Sequence, residues 1–327
     1  MPVRAVSEFD LINHYFKSFA CKRTDVLLGI GDDCALLQPP AGKQLAMTAD
    51  TLVAGVHFPV NTSAFDIGYK SLAVNLSDLA AMGAEPAWAI LAITLPAADE
   101  SWLQEFMRGF SVLADEYGVQ LIGGDTTSGP LSITVQLTGF VTSSQVLRRD
   151  TAKPGDKIYV SGTLGDAALG LKKVLGQLVT KNSLVHCVSR LNRPVPRVAL
   201  GRELSAISQC GIDISDGLVA DLGHIANASG CAANIYLSKL PLSDELRNFY
   251  GNDVDWSVIV AGGDDYELCF TLPSENELSI KVMADKCCMQ MSCIGEIISG
   301  HGIHCFDAAG MEVVFENTGY NHFSNIK

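Results

Sequence analysis

The chain has no C-x-x-C pair, no Walker A sequence and no apolar run of the roughly 18 residues that a membrane span needs. It is also short of positive charge. Only 23 Lys and Arg face 36 Asp and Glu, a formal net charge of −13, which argues against a general nucleic-acid binder, since such proteins meet phosphate with clustered cations. If the substrate is nonetheless a phosphate compound, a divalent metal held by surplus carboxylates is the natural neutralising agent. The ten cysteines, Cys21, Cys34, Cys187, Cys210, Cys231, Cys269, Cys287, Cys288, Cys293 and Cys305, are scattered, mostly among apolar neighbours. They are expected to be small buried hydrophobes in a reducing compartment, not a zinc site or a disulfide framework. Ala41-Gly42-Lys43-Gln44 lacks both the upstream Gly and the following hydroxyl of a P-loop, and no protein-kinase glycine loop with H-R-D and D-F-G partners appears. The start, Met1 to Asp10, turns acidic before any apolar run, so a cytoplasmic location is expected.

What is present describes a globular protein: 48% hydrophobic and 7% aromatic residues over 327 positions, long enough for two packed domains. Leu27 to Ile30, Gln44 to Thr48, Trp88 to Leu95 and Ser132 to Val141 are rich in Val, Ile, Leu and Thr and bounded by Gly, Pro or Asp, as strands are. Helical spacing runs from Ala64 to Met82, with Gly83 suited to terminate it, and from Ser101 to Tyr117, ending near Gly118. Charge, Pro and Gly displace these patterns from Arg149 to Asp156, so a boundary between domains 1–148 and 149–327 is placed there. The second half restarts with strands at Lys157 to Ser161, Gly211 to Ile214 and Val258 to Ala261, and helices at Asp166 to Leu175 and Leu218 to Ala228. The fold class is α/β.

Acids recur in one setting. Gly29-Ile30-Gly31-Asp32-Asp33, Thr48-Ala49-Asp50-Thr51, Gly123-Gly124-Asp125-Thr126-Thr127, Asp213-Ile214-Ser215-Asp216-Gly217 and Gly262-Gly263-Asp264-Asp265 each follow an apolar stretch expected to be a strand. Asp78 falls in the last turns of the first helix, where the dipole favours a cation. Taken singly, Asp beside Gly is ordinary turn chemistry, and Asp216 is equally suited to cap the next helix. As a set, hard oxygen ligands without a His/Cys cluster point to Mg²⁺ or Mn²⁺, and magnesium commonly accompanies phosphate. Val160 to Asp166 suits a phosphate at a helix N-terminus, but a plain strand-to-helix turn explains it as well.

Residues 29–37 (Gly-Ile-Gly-Asp-Asp-Cys-Ala-Leu-Leu), 49–58, 73–84 and 121–127, with 212–218, 262–270 and Gly319-Tyr320-Asn321-His322-Phe323, resemble thiamine-monophosphate kinases in order along nearly the whole chain. The resemblance implies transfer of the γ-phosphoryl group of ATP to thiamine monophosphate. It also implies the two-domain fold of the aminoimidazole ribonucleotide synthetase and selenophosphate synthetase superfamily. There an N-terminal α/β domain dimerises through its sheet, a C-terminal α/β domain completes the metal and substrate site, and the active site lies in the cleft between them. By position, Asp33, Thr48, Ala49, Asp50, Asp78, Asp125, Asp213 and Asp216 would hold several Mg²⁺ ions, with Asp32 assisting. Gly124, Asp125, Arg149 and Ser215 would contact ATP; His57, Asp264 and Tyr320 would contact thiamine monophosphate. No catalytic general base is expected, and the implied assembly is a homodimer.

Two positions depart from the family pattern: Ala49, which offers only its backbone carbonyl where relatives can carry Thr, and Asp264, one methylene shorter than the common Glu. Three alternatives stay open: a sister enzyme using ATP on the same scaffold, a metal-dependent phosphatase, and a non-catalytic nucleotide-binding regulator. If the thiols are structural, Cys287→Ser leaves turnover within about twofold of the parent, a surface-type change; a larger loss in a steady-state assay would show a working thiol.

Overall fold

The structure is a computed structural model describing residues 12–17 and 22–320. Cys21, the stretch Met1 to Asp10, and Asn321, His322 and Phe323 lie outside the described residues. The chain divides into two compact units, Met1–Leu79 with Glu85–Ser143, and Ala80–Ala84 with Ser144–Lys327.

The first unit is built from β1 (Val26–Leu28), β2 (Leu36–Leu37), β3 (Gln44–Val53), α1 (Ala64–Ala81), β4 (Glu85–Leu95), α2 (Glu100–Tyr117), β5 (Gln120–Ser128) and β6 (Ser132–Val141). β1 and β2 form a hairpin, and the other strands form a sheet in the order β3-β6-β4-β5, antiparallel except for the parallel β4–β5 pair. Strand alternation separates its faces. Leu91, Ile93, Ile133, Val135 and Leu137 are buried on one face, while Leu45, Met47 and Ile90 on the other are 46%, 66% and 40% exposed. The covered face meets the apolar stripes of the helices, Leu72, Leu76 and Leu79 of α1 and Leu103, Phe106 and Phe110 of α2.

The second unit contains β7 (Lys157–Ser161), α3 (Asp166–Val174), α4 (Val185–Asn192), α5 (Val198–Leu204), β8 (Cys210–Asp213), α6 (Leu218–Ser229), β9 (Ala232–Tyr236), α7 (Asp244–Tyr250), α8 (Trp256–Ala261), β10 (Leu268–Leu272), α9 (Glu277–Lys286), β11 (Met291–Ile298), β12 (Gly302–Phe306) and β13 (Glu312–Val313). Its sheet runs β13-β12-β9-β11-β7-β10-β8, with β9–β12 the parallel pair. Ile212, Leu222, Ile235, Ile259 and Cys269 belong to one continuous core.

Two expectations need correction. Val258 to Ala261 is not a strand but part of the helix α8; a short, wholly buried apolar run carries no periodicity to separate the two. Nor does every acid stand at a strand end: β3 continues past Thr48 to Val53, so Asp50 lies inside it, and Asp125 lies inside β5. Five of the nine described cysteines are buried, and all nine are free. No helix among the described residues is long and apolar enough to cross a membrane.

The entry to α2 is fixed by Asp99, whose Oδ1 accepts the N–H groups of Ser101 at 2.9 Å and Trp102 at 3.1 Å. Asp99→Ala strips the acceptor from two first-turn donors and lowers stability by about 1 kcal/mol. Chemical denaturation reads this as a lower midpoint at unchanged slope.

Candidate active site

Strand alternation turns Thr48 and Asp50 to the same side of β3, where α1 lies across them. Asp78 on α1 accepts a hydrogen bond from the Thr48 hydroxyl and shares another with Asp50. Burial first, and then the negative charge of Asp78, push the Asp50 carboxyl up to about 7. Two carboxylates and a hydroxyl facing one another are a hard-oxygen donor set, and magnesium is commonly held by one or two carboxylates plus waters and substrate phosphates. The residues therefore fit the ion. Just past β3, a turn brings His57 back so that its Nδ1 accepts the Val53 N–H at 2.9 Å. A backbone N–H can only donate, so Nδ1 is unprotonated and the neutral ring carries its proton on Nε2.

Asp125 stands apart from this group. Asp50 is in register with Val135 of β6 and Leu91 of β4, whereas Asp125 of β5 is in register with Ala92, Thr134 and Thr51. The Asp125 row belongs to the opposite face of the sheet, and β5 is three strands from β3, roughly 14 Å. The carboxylates of the first unit thus form two groups, and among the described residues no three His, Cys, Asp or Glu side chains already converge on one point. Asp33 lies on the exposed loop between β1 and β2. Beside Asp125, Gly124 is dictated by strand contact: a Cβ there would lie 1.9 Å from the Leu91 carbonyl oxygen.

In the second unit most of the expected residues meet. Asp213 ends β8, and the loop that follows carries Ser215 and Asp216 into α6. The Ser215 carbonyl accepts the Asp264 N–H at 2.8 Å, the Ile214 carbonyl accepts the Tyr266 N–H at 2.8 Å, and the Asp216 carbonyl accepts the Tyr320 N–H at 3.0 Å. The main chain of the candidate metal loop thereby seats Asp264 and Tyr320, both expected at the acceptor. Contact this close needs Gly263, where a Cβ would sit 2.4 Å from the Ser215 oxygen. Asp264 and Tyr266 adopt left-handed backbone angles, φ 69° and 50°, each costing a non-glycine residue about 1–2 kcal/mol. Arg149 is not gathered with them. Its neighbour Arg148 pairs with Cys210 at the start of β8, and Arg149 is exposed, whereas Asp213 and Ser215 lie at and beyond the strand's other end.

Residues 31–141 match the family described as AIR synthase related protein, N-terminal domain, and residues 153–307 its C-terminal domain. A thiamine-monophosphate kinase of Salmonella typhimurium is 46% identical over 98% of this chain and 99% of its own length. The chain belongs to the thiamine-monophosphate kinase family. Among solved structures, the thiamine-monophosphate kinase from Stenotrophomonas maltophilia is 51% identical, with a TM-score of 0.84 over 92% of this chain and 96% of that one. A structure of AaThiL complexed with AMPPCP and TMP is 32% identical, with a TM-score of 0.77 over 99% of both chains.

Set within this kinase fold, some residues matter that sequence patterns did not mark. The Asp221 carboxylate Oδ2 accepts three successive N–H groups, from Ser215, Asp216 and Gly217, each at 3.0 Å. It holds the loop's shape. Burial, with the charge of Asp216 adding to it, pushes Asp221 up to about 7 against those three bonds. Its only sequence signal is an acid in the first turn of a helix, common to many helices. Glu267 is buried between two arginines: Arg190 donates to it at 2.8 Å, and Arg197 donates through Nε at 2.7 Å and through Nη2. An acid in a strand-leading apolar stretch was its signal, but its partners lie about 70 residues away in sequence.

The Asp50 shift has a readout. Its folded pKa is raised above the ordinary 3.8, so its stabilising contribution is complete below that value and lost as pH rises through about 7. In chelator, the melting temperature of the parent falls between pH 5 and pH 8. Asp50→Asn flattens that fall and raises the pH 8 midpoint by a few degrees, about 1 kcal/mol. A lower midpoint for the variant at pH 8 would remove the carboxylate-crowding account.

Proposed function

We propose that the chain transfers the γ-phosphoryl group of ATP directly and in line to thiamine monophosphate, giving thiamine diphosphate and ADP, the last step of thiamine diphosphate biosynthesis. Its kinase class follows from the family. The observation that carries the substrates is the likeness, over 99% of both chains, to AaThiL complexed with AMPPCP and TMP.

In this scheme Asp33, Thr48, Ala49 through its carbonyl, Asp50, Asp78, Asp125, Asp213 and Asp216 hold Mg²⁺. Gly124, Asp125, Arg149 and Ser215 contact ATP, and His57, Asp264 and Tyr320 contact the acceptor. Bound there, magnesium neutralises and aligns the phosphates of two polyanions, which is most of what phosphoryl transfer asks of a protein. The acceptor's second phosphate pKa is about 6, so near neutral pH it is already a dianion and needs little general-base help. His57 is oriented by the Val53 N–H that its Nδ1 accepts, and an imidazole so held suits a phosphate oxyanion. Asp264 and the Tyr320 ring suit the fixed positive thiazolium.

A homodimer and a cytoplasmic setting belong to the same proposal. Supporting the first is the part of the first unit's sheet face which the β1–β2 hairpin leaves uncovered, where Leu45, Met47 and Ile90 are exposed on a chain of high net charge.

The test is product analysis with ATP, Mg²⁺ and thiamine monophosphate, beside free-thiamine, no-acceptor and chelator controls. Chelator-sensitive thiamine diphosphate with matching ADP is expected. ADP without it points to a sister ligase or phosphatase, and no turnover to a binding protein. Asp125→Asn keeps the fold and costs orders of magnitude in turnover through loss of an anionic ligand; near-native turnover would sink that assignment.

A further inference from the structure

The 264–266 loop keeps a left-handed backbone at Asp264 and Tyr266, a conformation that an Asp tolerates better than a Tyr. Such geometry persists only where surrounding contacts over-determine it, and here those contacts can be named. From one side, the N–H groups of Asp264 and Tyr266 donate to the Ser215 and Ile214 carbonyls. From the other, Gly165 N–H donates to Asp265 Oδ2 at 2.8 Å, and Arg190 Nη2 donates to the Asp265 carbonyl oxygen at 2.7 Å.

The same Arg190 nitrogen reaches Glu267 Oε1 at 2.8 Å, so one guanidinium ties the strained loop to the residue that leads into β10. Glu267 is itself immobilised. It accepts from Arg197 and, at 2.5 Å, from the Ser161 hydroxyl, which in turn accepts the Leu268 N–H at 2.9 Å. Arg190 is 8% exposed at its side chain and Glu267 1%, so water does not substitute for these bonds. The network touches the backbone of the loop that presents Asp264, whereas the Ser215 loop assigned to ATP, although its carbonyl accepts the Asp264 N–H, is held separately by Asp221.

We propose that Arg190, braced by Glu267 and Arg197, is a positioning residue for the acceptor: it locks the 264–266 loop and so sets the affinity for thiamine monophosphate while leaving ATP handling alone. The inference rests on Asp264 being an acceptor contact, as proposed above. Its energetics are those of a two-state loop. If relaxed loop conformers outnumber the locked one by about ten to one, the apparent dissociation constant rises about tenfold, with contacts in the bound state unchanged.

Arg190→Lys keeps the positive charge beside Glu267, but its shorter, flexible stem does not hold a donor at the place where Arg190 Nη2 serves both acceptors, and Arg197 and Ser161 still satisfy the carboxylate. With the full-length protein, thiamine monophosphate binding is measured by calorimetry in Mg²⁺ without ATP, and steady-state kinetics are run for both substrates. Expected are a dissociation constant and KM for thiamine monophosphate raised on the order of tenfold, with kcat at saturating acceptor and the KM for ATP within about twofold. An unchanged KM for the acceptor overturns the inference, as does an equal loss in kcat and in both KM values, which marks general structural damage. Should Arg190→Lys not fold, Arg190→Gln carries the same comparison. Wild type run alongside separates the two claims: if wild type binds no thiamine monophosphate, the functional proposal fails and this inference with it. If wild type binds and the variant matches it, this inference alone fails.

Discussion

Carboxylates crowded together away from water repel one another, and only a proton or a cation relieves them. Asp50 beside Asp78 and Asp221 beside Asp216 are both held in that condition, each pair with one member pushed up to about 7. The scaffold enforces the crowding. β3 and α1 bring the first pair together because strand alternation and helix packing leave Thr48, Asp50 and Asp78 on a shared, partly buried side. In the proposed function a cation would complete such pairs and would also be what two acidic substrates need before they can approach.

In the second unit the main chain does the placing. Carbonyls of residues 214, 215 and 216 receive the N–H groups of Tyr266, Asp264 and Tyr320, while Asp221 collects the N–H groups of 215 to 217. Donors and acceptors of one loop are spent on both sides, so its shape does not depend on the side chains expected to touch ligand.

Much of the fold was legible from the chain itself. Ser132–Val141, Lys157–Ser161 and the start of α6 at Leu218 lie where alternation, bounding glycines and turn residues put them, because local periodicity and φ preference act within a few residues. The family, too, could be read directly, since its motifs fall in order and the glycines in them answer to contacts such as Gly124 against Leu91 and Gly263 against Ser215. The four-residue apolar run at 258–261 was not legible, being too short to show a period of two or of 3.6.

By itself, then, the sequence determined the acidic composition, the family and most strands and helices, because these follow from residue type and short-range spacing. Only the tertiary structure decided that Asp50 and Asp125 stand on opposite faces of one sheet, that Arg149 lies away from Ser215, and that Asp221, Arg190 and Glu267 hold the loops. Faces, strand order and buried partners depend on pairings between segments far apart in the chain, and no local pattern encodes which segment will lie beside which.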